Sequence, residues 1–180
     1  HNAELRDRFG IDDGPVVLYT GRLVPEKGLT TLLDSVTDVA DAVPDVQYLI
    51  IGEGEMAADL RERIRQSNLG DRVTLVTERQ PYELMPAIYS LAAVFTYPSY
   101  TVEGWAEQFG YSVVEAMSCG VPVVTTECGS LPWVVGDTGV VCPEQDTDTL
   151  ATALVDLLSD DDRRERLGTA ARERAREEFS

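Results

Sequence analysis

The chain has 180 residues, with 32 Asp and Glu against 15 Lys and Arg for a formal net charge of −17, and 43% of its positions are hydrophobic. That is core enough for one folded domain and too much for a disordered acidic tail, and no apolar run approaches the roughly 18 residues that cross a bilayer. Fourteen of the cations are arginine and the one lysine is Lys27, so there is no basic stripe to neutralise a nucleic acid backbone, and that partner is excluded.

Short runs rich in β-branched residues predict strands at residues 16–19, 46–51, 73–76, 93–97, 121–125 and 139–142. Between them, helical periodicity runs over residues 29–42, 55–67, 83–90 and 111–118, with a short helical turn at 131–135. The alternation predicts a doubly wound, Rossmann-like α/β fold: a parallel sheet of about six strands with helices on both faces. Two further helices are expected at 147–158 and from 161 to about 178, the last carrying six arginines among glutamates and read as a solvated, salt-bridged surface helix. No Gly, Ser or Pro linker divides the chain, so residues 1–180 read as a single domain.

Cys119, Cys128 and Cys142 have no Cys-x-x-Cys spacing and only His1 as a histidine companion. They read as small apolar side chains in a reducing, cytoplasmic compartment rather than as a zinc site or disulfide framework. The opening at His1, without methionine or a signal-like segment, reads as a fragment boundary. The acidic surface points to a salt-loving source, in which screening relieves self-repulsion.

In an open parallel sheet the ligand crevice lies beyond the carboxyl ends of the strands. The first strand runs into Gly21-Arg22-Leu23-Val24-Pro25-Glu26-Lys27-Gly28. Arginine can fork onto two phosphate oxygens, lysine supplies a point charge and glycine lets backbone approach, so this turn is suited to an anion. The second strand ends in Gly52-Glu53-Gly54-Glu55-Met56-Ala57, which fits the G-x-G-x-x-A dinucleotide pattern. The pattern normally follows the first strand, and two glutamates would face a pyrophosphate, so glycines turning a strand into a helix are the better reading. The fourth strand leads through a loop, residues 100–106, to Glu107-Gln108-Phe109-Gly110 and then Glu115. On one helix that offset would be about 80° and about 12 Å, so the two carboxylates would contact separate parts of one long, hydroxyl-rich ligand.

Taken together, Gly21-Arg22, Glu26-Lys27-Gly28, Gly52-Glu53-Gly54, Pro98-Ser99, Glu107-x7-Glu115 before Ala116-Met117-Ser118-Cys119-Gly120-Val121-Pro122, and Gly136-Asp137-Thr138-Gly139 resemble glycosyltransferase family 4 over nearly the whole chain. The resemblance is to the C-terminal, nucleotide-sugar-binding half of a two-domain GT-B enzyme, whose N-terminal acceptor domain this chain does not include. It implies a retaining hexosyl- or related transferase with a nucleotide-diphosphate sugar as donor substrate and no tightly bound cofactor. It also implies that Gly21, Arg22 and Lys27 bind the diphosphate, Glu115 accepts from the ribose hydroxyls, and Glu107 with the Phe109 and Gly110 backbone holds the transferred sugar. Arg79, or Gln80, would lie near the base. Arg22, Lys27 and Glu107 would be the catalytic set. No Asp-x-Asp pair stands at a suitable strand end, so no metal dependence is expected, and Asp160-Asp161-Asp162 reads as a helix N-cap region. A membrane-associated or lipid-linked acceptor is compatible with the family. Trp133, in the place of a common glutamate, and Thr77, in the place of a common glycine, make base and sugar preference less transferable than the diphosphate contact. A non-catalytic nucleotide-sugar sensor or partner subunit stays open beside the enzyme, and a dinucleotide-dependent oxidoreductase stands third.

Overall fold

Strands apolar on both faces have no side to offer solvent, so their sheet must be covered twice. In the computed structural model, which describes residues 2–180, they form β1 (Val16–Thr20), β2 (Gln47–Ile51), β3 (Val73–Val76), β4 (Val94–Tyr97), β5 (Val123–Thr126) and β6 (Val140–Cys142). Every neighbouring pair is parallel, in the order β3-β2-β1-β4-β5-β6. The chain therefore reverses its direction of travel between β1 and β4, and that switch point opens a crevice at the carboxyl edge. The predicted fold is the observed one; His1 lies outside the described residues.

The helices are α1 (Asn2–Phe9), α2 (Leu29–Ala42), α3 (Ala57–Gln66), α4 (Met85–Tyr89), α5 (Tyr111–Ser118), α6 (Leu131–Val135), α7 (Thr147–Leu158) and α8 (Asp161–Glu178). Right-handed crossovers that step one way from β1 and the other way from β4 put α2 and α5 on opposite faces. Helix α7 packs against α2 and α8 against α5, so the C-terminal pair thickens both layers. Aspartates begin both of these helices: Asp146 accepts from the Thr149 backbone N–H and Asp160 from that of Arg163, each at 2.9 Å. Caps of this kind contribute about 1 kcal/mol.

Two elements depart from the sequence reading. Helix α1 was not expected, because only Leu5 and Phe9 are buried on an otherwise polar pair of turns that periodicity cannot register. Helix α8 is solvated on its outer face, where Arg164 pairs with Asp161, but its inner face is buried through Gly168, Ala171 and Ala175. A Cβ at Gly168 would stand 2.2 Å from the Gly120 carbonyl oxygen, so glycine permits the close approach. Nor are its arginines only surface charges. Arg174 donates to the carbonyls of Trp133 and Val134 at 2.7 and 2.9 Å, and Arg164 to those of Leu157 and Leu158. These carbonyls end neighbouring helices, where intrahelical partners run out.

Cys128 and Cys142 are buried and Cys119 half-buried, all as free thiols. Burial, followed by the charge of Asp146, pushes the Cys142 thiol up to about 11.

Candidate active site

Two strand-end loops meet first. Leu23 N–H donates to the Glu53 carbonyl at 2.7 Å, Gly21 N–H to Ile51 at 3.1 Å and Met56 N–H to Leu23 at 2.9 Å, so the turns after β1 and β2 are laced together. A Cβ on Gly52 would stand 1.8 Å from the Gly21 carbonyl oxygen, and one on Gly54 would meet the Leu23 backbone. The glycines of the dinucleotide-like pattern thus serve contact between two loops. They are accounted for without a pyrophosphate.

Against these turns lies a cleft of about 450 Å³ lined by Gly21, Arg22, Glu53, Glu78, Arg79 and Glu115, with Thr20, Gln80, Met85 and Ser112 between them. Arg22 and Arg79 are exposed and Glu115 half-buried. Sequence positions 22, 79 and 115 therefore face one space, arriving from the ends of β1 and β3 and from α5.

Lys27 and Glu107 adjoin this cleft as a buried ion pair, each 7% exposed in its side chain. Lys27 reaches its place because Pro25–Lys27 make one tight turn ended by Gly28 in the left-handed region at φ 74°. A Cβ at Gly28 would stand 1.8 Å from the Pro98 carbonyl oxygen, so that turn is pressed against the end of β4. The ammonium donates to Glu107 Oε1 and, at 2.9 Å, to the Tyr97 hydroxyl, and lies 4.9 Å from the centre of the Trp105 ring. Ser99 Oγ also donates to Glu107 Oε1, at 2.9 Å. The Glu107 backbone is held as firmly: its N–H donates to Cys128 Sγ at 3.5 Å and its carbonyl accepts from Ser130 N–H at 3.0 Å. The Tyr97 ring lies beside Gly21, where an added Cβ would come within 3.3 Å of it, and that places the ion pair next to the cleft wall.

Trp105 belongs to the 100–106 loop. The loop folds into a small strap by the Val102–Trp105 bridge, turned at Gly104 with φ 76°, and is tethered by Thr101 Oγ1 donating to Glu144 at 2.7 Å. Gly110 precedes α5 in the left-handed region at φ 75°, at the helix start expected from the sequence. Phe109 turns its ring away, edge-on to Tyr111 and Phe179 at 5.0 and 5.3 Å, which leaves only its backbone beside Glu107 and Gly110. Trp133 is exposed and packs edge-on to Phe179 at 5.5 Å.

Sequence reasoning missed a layer of buried tyrosines beneath these groups. Tyr19 OH donates to the Arg22 carbonyl at 2.7 Å, Tyr97 accepts from Lys27, and Tyr89 OH donates to Glu115 Oε2 at 2.7 Å. Tyr19 stacks on Tyr97 at 5.8 Å, Tyr97 on Phe95 at 6.2 Å, and Tyr89 meets Phe95 edge-on at 5.7 Å. A buried tyrosine reads as core, yet its hydroxyl needs a partner, and that need is the signal that could have found them. Burial is the leading cause that holds the Tyr19, Tyr48, Tyr89 and Tyr97 phenols well above their ordinary value of 10. The folded form keeps these protons and the unfolded form loses them near pH 10, so this contribution is complete below pH 10 and lost as pH rises above it. Each phenol is expected to remove up to about 1.4 kcal/mol of stability per pH unit above about pH 10 until its folded value is reached. Denaturant unfolding at a series of pH values checks this, and a flat stability from pH 9 to 12 would contradict the burial.

Strand order and cleft define a Rossmann-like domain with its ligand crevice at the switch point. The family model described as "Glycosyl transferases group 1" matches residues 2–174, and the chain belongs to that family. It is 36% identical over 174 residues to a GDP-mannose-dependent alpha-(1-6)-phosphatidylinositol monomannoside mannosyltransferase of Mycolicibacterium smegmatis, a match covering 94% of this chain and 45% of the relative. Among solved structures it resembles sucrose-phosphate synthase from Thermosynechococcus elongatus, with a TM-score of 0.82 and 34% identity over 99% of this chain and 45% of that one. It also resembles Anabaena HepE in complex with UDP and glucose, with a TM-score of 0.86 and 25% identity over 99% and 48% of the two chains. The chain thus spans about half the length of the relatives it matches. Among the described residues, no helix is long and apolar enough to cross a membrane.

Proposed function

We propose that this chain is the donor-binding, C-terminal half of a retaining family 4 glycosyltransferase of the GT-B kind, taking a nucleoside diphosphate sugar and working with an N-terminal acceptor domain outside the chain. The observation that carries the reading is the meeting of Arg22, Arg79 and Glu115 in one cleft with the Lys27–Glu107 pair beside it. A bound nucleoside diphosphate sugar needs cations for its two phosphates and hydroxyl acceptors for ribose and sugar, and those are the two chemistries present. HepE in complex with UDP and glucose, and the GDP-mannose dependence in the name of the mycobacterial relative, support a nucleoside diphosphate donor. The phosphatidylinositol in that relative's name supports a lipid-linked acceptor.

As the bond from the anomeric carbon to the phosphate oxygen breaks, positive charge grows on the sugar ring and negative charge on the departing diphosphate. Arg22 stabilises the second from the cleft rim. Lys27 does so through the one ammonium N–H not committed to Glu107 or Tyr97. The Glu107 carboxylate, held by Ser99 and by its own pinned backbone, is the anion next to the sugar. Glu115 accepts from ribose, and Arg79 stands toward the base.

Calorimetric titration of this chain in high salt with UDP-glucose, GDP-mannose and NAD tests the reading. Binding of at least one sugar nucleotide, competed by inorganic pyrophosphate, and none of NAD is expected. Binding of NAD in preference to both sugar nucleotides would overturn it.

A further inference from the structure

Glu115 can read a ribose only if its carboxylate is held in one orientation, and α5 does not hold it. The side chain is half-buried on the cleft wall and makes no ion pair among the described residues. Its Oε2 accepts from the Tyr89 hydroxyl at 2.7 Å, and that hydroxyl lies 2.9 Å from Thr20 Oγ1. A phenol has one proton. Since a carboxylate oxygen only accepts, the Tyr89 proton goes to Glu115, and the Thr20 hydroxyl must donate to Tyr89. The chain of donors is therefore ordered in one direction, from Thr20 through Tyr89 to Glu115. Tyr89 is 1% exposed and Thr20 5%, so both anchors are rigid, one in α4 and the other at the end of β1. Burial, with the Glu115 carboxylate contributing, raises the Tyr89 phenol far enough that it remains a donor at any working pH.

We infer that Thr20 and Tyr89 are positioning residues that orient Glu115, committing Oε2 to the protein and leaving Oε1 to accept from the vicinal hydroxyls of a ribose. The inference rests on the proposed donor-binding reading and adds to it a means of recognising the ribose. Neither residue touches the ligand through this relay; both act through Glu115. A phenylalanine at position 89 keeps the ring contact with Phe95 and loses only the hydroxyl.

The test uses this chain, with UDP and GDP each titrated against its 2′,3′-dideoxy form and against inorganic pyrophosphate. Wild type is expected to prefer the ribose forms, Tyr89→Phe to lose about tenfold of affinity for them, and Thr20→Val to lose a smaller factor. Affinity for the dideoxy forms and for pyrophosphate is expected to stay within twofold in Tyr89→Phe, a split that general loosening of the core would not produce. A ribose-to-dideoxy ratio unchanged in Tyr89→Phe overturns the inference while leaving the donor-binding reading intact. If Tyr89→Phe does not fold, an unchanged ratio in Thr20→Val overturns it. A wild type that binds the nucleotides but cannot tell ribose from dideoxyribose overturns the role of Glu115 itself, and the relay with it.

Discussion

Replacing Lys27 with alanine is expected to destabilise the chain by about 3–5 kcal/mol, because Glu107 is then left charged and buried without its counter-ion. Both side chains are 7% exposed, so water cannot take over from the missing ammonium. The Ser99 hydroxyl and the tethered backbone hold the carboxylate in place, so Glu107 cannot swing out to solvent. The double variant Lys27→Met with Glu107→Gln is expected to recover most of that loss, since a neutral pair of similar volume no longer bears the cost of burying charge. It is not expected to recover pyrophosphate affinity. Urea unfolding of the three proteins, with pyrophosphate titrations alongside, separates the structural role of the pair from its role toward a ligand. A Lys27→Ala midpoint equal to wild type would mean that the pair does not form in solution.

Arg22→Ala is expected to do the reverse. The guanidinium stands exposed at the cleft rim and no salt bridge among the described residues engages it, so stability should stay within about 0.5 kcal/mol of wild type. On the proposed function Arg22 faces the departing diphosphate, and its loss in the full-length protein should remove about 2.7–4 kcal/mol of transition-state stabilisation, a fall in turnover of roughly a hundred- to a thousandfold. Steady-state kinetics on the full-length protein measure it. Near-wild-type turnover would take Arg22 out of the mechanism. Lys27 and Arg22 are thus paired in chemistry but opposed in what they do for the fold.

The legible parts of this molecule were those in which local composition and long-range structure agree. The six apolar runs became six strands, and α2 and α5 appeared over residues 29–42 and 111–118 as their periodicity indicated. The run at 121–125 begins pairing two residues later, at Val123, because Pro122 contributes only a carbonyl, which accepts from Phe95 N–H. Helix α1 was illegible because two apolar residues are too few to show a period. In the site, Arg22 could be placed from its position at a strand end, since the crevice rule converts sequence order into a place, whereas Arg79 and Glu115 were reached through the family resemblance. Tyr19, Tyr89, Tyr97 and Trp105 were not foreseen, because the one signal the sequence offers, a buried hydroxyl in need of a partner, does not say which partner. Their rings are indistinguishable from core in a linear pattern, and only the tertiary fold brings a hydroxyl or a ring face to a charged group far away in sequence, as Tyr97 and Trp105 come to Lys27.

The composition has a consequence of its own. With a formal charge of −17, the chain as a whole repels an anionic ligand, so Arg22 and Lys27 must act at short range, where salt screening weakens them less than it weakens the surrounding field.

A crystal structure of this chain with UDP bears on all of this at once. Diphosphate oxygens should lie within about 3 Å of both the Arg22 guanidinium and the Lys27 ammonium, with the ribose against Glu115. A diphosphate bound elsewhere, over the Gly52-Glu53-Gly54 turn or on the α8 face, with Lys27 still closed under Trp105, would contradict the account.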